Sequence, residues 1–356
     1  VGLIRLALAF LVVGGHAGFQ VGNIGLLMAV QVFFVLSGVY MAAVYTTTYS
    51  KVRNGIWLFY LNRVLRLWPT YLLILGLTCI AFIAVGSAVR QDFRIFSLFT
   101  TPLSTEQLLY LAPANLLLFG QDVLSVDEPT HFLLPVRQSW SIATELLFYL
   151  FVPFIYRRNF SLFVGSIIIL ASFALKFYLL QTMNWRVAYF FPLGNMGYFF
   201  LGCFIYHVAE IGVIARLRNR LGLAARILAP IAFAVLALAF KQNNFETGYF
   251  GQHFAFLAAF SLIVILAFSQ KTWWIDTYLG NISYGVYLNH FLLMVLVANF
   301  WPLPQPAFLI VVFLASLLLS MITERVLQRP IDSFRRSLTR RAQDEGLSYF
   351  AARSRT

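Results

Sequence analysis

Long apolar runs alternate with short polar connections from one end of the chain to the other. Ten runs reach helix length: 3–19, 25–45, 68–89, 138–156, 160–180, 188–208, 223–240, 253–269, 282–299 and 306–326. Each is roughly 17 to 25 residues long, which is what an α-helix needs to cross a hydrocarbon core of about 30 Å. Backbone in lipid must satisfy its own hydrogen bonds, so runs of this length predict helices. The expected fold is an all-α polytopic membrane protein with about ten transmembrane helices. A further apolar stretch, EQLLYLAPANLLLFGQ at 106–121, is short and interrupted by Pro113. It predicts a re-entrant or interfacial helix in place of a full span.

Charge sets the orientation. With the N-terminus in the cytoplasm, nineteen basic residues fall on the inner side, among them Lys51, Arg53, Arg63, Arg66, Arg157, Arg158, Arg216, Arg218, Arg220, Arg226, Lys271 and eight arginines from Arg325 onward. Five fall outside: Arg90, Arg94, Arg137, Arg186 and Lys241. Basic residues collect on cytoplasmic loops, so this asymmetry predicts an even span count with both termini in the cytoplasm. The longest connection, about 90–137, lies outside and is acidic, with Asp92, Glu106, Asp122, Asp127 and Glu128. The chain then divides into a transmembrane domain, 1–330, and a basic, partly disordered cytoplasmic tail, 331–356, that lies on anionic lipid.

Composition agrees with that picture and excludes others. Of the 356 residues, 60% are hydrophobic and 11% charged, against roughly 25% charged in soluble domains. The net charge of +13 follows the loops, so membrane lipid and not nucleic acid is the expected partner. Cys79 and Cys203 each sit inside an apolar run, which leaves no disulfide framework and no paired-cysteine zinc spacing. No metal site is expected. The first run keeps an arginine and lacks a small-residue cleavage site, so it reads as a retained helix and not a signal peptide, with a few native residues preceding Val1.

An ionisable residue inside a span costs about 2.5 to 3.5 kcal/mol on insertion scales, which makes each one a functional candidate. Arg5, His16, Glu145 and His290 qualify; Lys176, Glu324 and His207 lie near span ends, where snorkelling accounts for them. Eleven positions at ~100° each make three turns plus about 20°, so Arg5 and His16 share one face, ~16 Å apart along the axis. Ser141 and Glu145 share a face at i, i+4. Glu145 sits near the expected depth of His16, where a carboxylate would fix the imidazole tautomer and raise its basicity. Arg63 and Arg66 lie on one side of a turn before a helix expected to open at Pro69, an arrangement suited to phosphate capture or to lipid anchoring. The same buried groups could serve as a proton relay in a transporter or flippase. No Walker loop, GxSxG elbow or HExxH motif occurs.

Taken together and in order, these residues resemble the acyltransferase-3 family of bacterial integral-membrane O-acyltransferases. Arg5 and His16 match its R-x10-H, VFFVLSG at 32–38 resembles its FFxxSG element, and Arg63 to Arg66 looks like its RxxR. Trp140-Ser141 through Glu145 resembles its SxxxE after tryptophan, and Ser283 through His290 its SYxxYLxH. The closing ERP-like element is only approximated by TERVLQRP, where an insertion separates Glu324 from Arg329-Pro330.

The resemblance implies transfer of an acyl group, most often acetyl from acetyl-CoA, to a hydroxyl of a surface polysaccharide or lipid-linked oligosaccharide at the bacterial cytoplasmic (inner) membrane. Acyl-CoA is then a donor substrate, with no permanently bound cofactor. It implies catalytic roles for His16, Glu145 and Ser141. Arg5, Arg63, Arg66, Phe33, Phe34 and Ser37 would bind acyl-CoA. Trp140, Tyr284, Tyr287, Asn289 and His290 would serve the oxyanion or the acceptor.

Overall fold

Helices stand at all ten predicted positions in the computed structural model, which describes residues 2–19, 25–52, 54–85, 97–157, 161–239, 250–267 and 273–353. Arg53, Arg90, Asp92, Arg94, Arg158, Lys241, Lys271 and Arg355 lie outside the described residues. The first three helices are α1 (Gly2–His16), α2 (Leu26–Thr47) and α3 (Gly55–Val85). The long connection holds α4 (Ser97–Thr100), α5 (Thr105–Leu117), α6 (Gln121–Leu124) and α7 (Glu128–Phe132). Then follow α8 (Trp140–Arg157), α9 (Leu162–Thr182), α10 (Trp185–Phe190), α11 (Pro192–Ala209) and α12 (Gly212–Ala239). The chain closes with α13 (Phe250–Ala267), α14 (Trp274–Phe300), α15 (Ala307–Thr323) and α16 (Arg329–Arg353). Among the described residues there is no strand.

Six of these helices are long and apolar enough to cross a membrane, and a seventh counts if Pro192–Ala209 and Gly212–Ala225, bent by 82°, form one span. Gly2–His16, Ile227–Ala239 and His253–Ala267 are apolar but shorter. The protein is a multi-pass membrane protein. Helix α3 starts at Gly55, so Pro69 lies inside it and not at its first turn. The preceding residues bury Leu58, Phe59, Asn62 and Leu67, and that packing carries the helix back through Arg63 and Arg66.

Helix α2 runs through the centre, against α1, α8 and α11. Its crossing with α11 is made by Gly38 and Gly202: a Cβ on Gly38 would lie 2.0 Å from the Phe199 carbonyl oxygen, and one on Gly202 2.0 Å from that of Val35. Small residues let helices approach in lipid, where apolar burial alone does not hold them together. Helices α1 and α14 run parallel. The Leu3 amide donates to Asp276 at 3.2 Å, and His16 meets His290 at 3.0 Å, with nearly the same sequence offset at both ends.

The short helix expected around Pro113 is α5, opened by a capping box between Ser104 and Gln107. Its far end meets the middle of α3: Tyr71 donates to the Asn115 carbonyl at 2.6 Å and the Trp68 indole to Leu116 at 3.3 Å. Tyr71 stands fourteen residues, roughly 21 Å, short of the end of α3, so the end of α5 lies well down the side of α3, as the far end of a re-entrant segment does.

The expected tail is helical. A π turn at Glu324–Gln328 joins α15 to α16, and it spans the stretch that separates Glu324 from Arg329-Pro330. Leu338 and Ala342 of α16 pack on the core beside α3, while Arg336 and Arg340 face outward.

Candidate functional site

Two histidines meet where α1 ends against the middle of α14. His16 Nδ1 lies 3.0 Å from His290 Nε2, and His290 Nδ1 lies 2.8 Å from the Tyr287 carbonyl oxygen. A carbonyl only accepts, so His290 donates from Nδ1, and in a neutral ring its Nε2 must accept. His16 therefore donates from Nδ1, which leaves the lone pair on its Nε2. His290 is fully buried, whereas His16 is half-buried. Phe291 packs on both rings, at 4.5 Å from His16 and 4.8 Å from His290. An interior partner thus fixes which nitrogen of the half-buried His16 ring carries the proton.

One helical turn away, Ser141 and Tyr287 face each other at 2.8 Å, and both hydroxyls lie within 3.1 Å of the Gln138 carbonyl. Gln138 in turn donates to the Leu288 carbonyl, which pins the start of α8 to α14. The Arg137 guanidinium lies between Phe132 at 5.0 Å and Phe291 at 4.8 Å, one ring removed from His16. Beside it, His131 meets Ser125 at 2.9 Å, and burial pushes its pKa down to about 3. Asp122 binds the Val123 amide at 2.9 Å, and burial pushes its carboxyl up to about 6.

At the opposite end of α1 the arginines gather. The Arg5 guanidinium lies 5.7 Å from the Tyr40 ring, and that of Arg63 lies over Phe59 and Tyr149 at 5.6 and 5.8 Å. Arg66 donates to Asn281 at 2.8 Å and lies 3.6 Å from Asp332. Arg66, Thr70, Asn281, Tyr284, Gly285 and Ser320 help line a small cleft. From Met28 to Tyr45, every residue of α2 is buried except Phe33, Ser37, Tyr40 and Val44. Their 4-3-4 spacing puts them on one face. That face joins the two ends: Tyr40 lies under Arg5, and Phe33 lies 5.9 Å from Tyr287.

The family model for the acyltransferase domain, Acyl_transf_3, matches residues 1–325. The chain belongs to the acyltransferase-3 family. No curated protein and no solved structure matches it. As a member of that family the chain is a membrane acyltransferase, and His16, Ser141, Tyr287 and His290 are brought together within its acyltransferase domain.

Other residues expected at this acyltransferase's site lie elsewhere. Glu145 does not hold His16: its carboxylate accepts from Tyr149, one turn further along α8 toward Arg63, and His290 takes the tautomer-fixing place. Glu145 follows Ser141 by four residues, about 6 Å along the axis, so it stands nearer the arginines than the histidines. Phe34 is buried, stacked on Phe199 at 4.6 Å, and so belongs to the core and not to the half-open face of Phe33 and Ser37. Trp140 is likewise enclosed, by Tyr189 at 4.9 Å and Phe190 at 4.7 Å. Asn289 points to α15, donating to the Ser316 carbonyl and Ser320 at 3.0 Å, and Tyr284 donates to the Leu67 carbonyl at 3.0 Å.

Snorkelling does not describe two of the three residues assigned to it. Lys176 is buried and donates to Asn195 at 2.8 Å, and Glu324 is buried against Arg329 at 2.8 Å. His207 is half-buried on Tyr156, with ring centroids 5.6 Å apart. Tyr40, Arg137, Asn281 and Asp332 were not foreseen. Only Arg137 carried a sequence signal, as an arginine beside the QSWS segment.

Proposed function

We propose that this acyltransferase moves an acetyl group from acetyl-CoA, bound from the cytoplasm, to a hydroxyl of a surface polysaccharide or lipid-linked oligosaccharide that approaches from outside. The reading carries ten spans with both termini in the cytoplasm of a bacterial inner membrane. The observation that supports it best is the half-open face of α2, which links the arginines to the histidine pair through helices otherwise closed. CoA phosphates bind Arg63 and Arg66, with Arg5 beside them, because guanidinium forks match phosphate oxygens. The cleft beside Arg66 is far too small to admit a ligand of that size, so α3 and α14 part as the pantetheine arm enters toward Phe33.

His16 then acts as general base. Its Nε2 takes the proton as the acceptor oxygen attacks the thioester carbonyl. A tetrahedral intermediate forms, the C–S bond breaks, and the imidazolium returns its proton to the departing thiolate. The products are the acetyl ester and free CoA. The His16 Nδ1–H bond to His290 stabilises the imidazolium, and a hydroxyl of the Ser141–Tyr287 pair donates to the developing oxyanion, a contribution worth ~3 to 4 kcal/mol.

Binding provides the test. CoA or acetyl-CoA should raise the melting temperature of the purified protein, and Arg66→Ala should weaken CoA binding by about tenfold or more, the loss expected for charge-assisted hydrogen bonds. Wild-type protein that ignores both ligands would refute the donor assignment.

A further inference from the structure

A third arginine joins Arg63 and Arg66, and it comes from beyond the stretch that matches the family. Arg335 lies on α16, past residue 325. Its Nε donates to Asn62 at 3.2 Å, and its guanidinium pairs with Asp332, which also stands 3.6 Å from Arg66. Asn62 directly precedes Arg63 on α3 and also donates to Thr339, so α16 is fastened at the level of the RxxR turn. The side chains of Arg66, Asp332 and Arg335 are only 15 to 18% exposed.

The charges do not balance. Arg66 and Arg335 share the single carboxylate of Asp332, and Arg63 and Arg5 add two more positive charges against one further carboxylate, Glu145, which is engaged by Tyr149 under Arg63. The Nε of Arg63 is buried without a hydrogen-bond partner. Like charges kept this close and largely out of water repel, and an anion carrying two charges relieves the excess better than one carboxylate does. A phosphate monoester or diphosphate has that charge, and its oxygens accept from several guanidinium forks at once.

We infer that Arg335 is a phosphate-binding residue. With Arg63 and Arg66 it completes the site for the CoA phosphates, and Asp332 is the counter-ion that those phosphates displace. The inference rests on the reading of acyl-CoA as donor and adds to it that α16 is part of the donor site. Binding of CoA exchanges the Asp332 contacts for phosphate contacts and leaves α16 held by Asn62, Thr339 and its apolar face.

The test is CoA affinity of the full-length protein in detergent, with CoA, dephospho-CoA and adenosine 3′,5′-bisphosphate as probes. Arg335→Gln should weaken CoA binding about tenfold, as expected for one lost charge-assisted hydrogen bond, and Asp332→Asn should tighten it. If Arg335→Gln does not fold, Arg335→Lys keeps the charge without the fork and should weaken binding by a smaller factor. CoA affinity unchanged by both Arg335 variants, with Arg66→Ala still weakening it, would overturn this inference alone. Wild-type protein that binds no probe would instead overturn the donor reading. A lipid phosphate as the occupant is a separate outcome: phosphatidylglycerol in nanodiscs would then stabilise wild type but not Arg335→Gln, CoA affinity would not respond to the substitution, and the inference would fall.

Discussion

At the residue scale, the tautomer of His16 depends on a carbonyl it does not touch. Tyr287 O fixes the proton of His290, His290 fixes that of His16, and the outcome is a lone pair on Nε2 of a half-buried ring. His290→Ala should therefore lower kcat on the order of 100-fold, the scale of general-base contributions, while CoA binding is retained; a loss under threefold would remove His290 from the relay. Asp122 offers a test by pH. Its folded pKa of about 6 lies above the ordinary 3.8, so the fold prefers the protonated acid and loses stability as pH rises between those values. Asp122→Asn should raise the melting temperature above pH 6 and leave it unchanged below pH 3.8. A variant that melts at the wild-type temperature at neutral pH would contradict this. Arg5, His16 and His290 were legible in sequence because a charge or imidazole in an apolar run stands out. The pairing of His16 with His290 was not, since the offset between two helices cannot be read from either one. Glu145 was misplaced for the same reason: its depth was counted from an assumed membrane surface, whereas it lies one turn beyond the Ser141–Tyr287 contact and bonds Tyr149.

Elements follow the apolar pattern closely, and they depart from it where polar residues find partners. The ten runs became helices because each is apolar over enough turns to close its own hydrogen bonds. The start of α3 was hidden, because Pro69 looked like a helix opening, and the burial of Phe59 and Asn62 that extends it backwards is a tertiary effect. Composition predicts a partly disordered segment after residue 330, yet in its first half Asp332, Arg335, Leu338, Thr339 and Ala342, at helical spacing, turn inward beside α3. The α2–α11 crossing gives a prediction at this scale. Gly38→Ala would place a carbon 2.0 Å from a backbone oxygen, and the overpacking should cost about 1 to 3 kcal/mol, read as a lower melting temperature. A wild-type melting temperature would show that the glycine pair is not the close contact that sets the crossing.

Across the whole molecule, the arginine cluster and the histidine pair stand ~16 Å apart along α1, roughly half of a ~30 Å hydrocarbon core. Arginines from α1, α3 and α16 gather at one end, and the histidine pair, with Phe291 and Arg137 packed beside it, lies toward the other. Arg5 and His16 mark the two ends on one face of α1, with Leu8 and Val12 buried between them. This division predicts that donor and acceptor act from opposite sides. In sealed proteoliposomes, thioester should be consumed only when acetyl-CoA is supplied on the arginine side; equal consumption from both sides would contradict a sided pathway. The most direct measurement of the central claim is mass spectrometry of surface glycans from cells carrying the wild-type gene, no gene, or His16→Ala. The account predicts an acetyl mass on the glycan in the first culture and its loss in the other two. Identical glycans in all three cultures would contradict it.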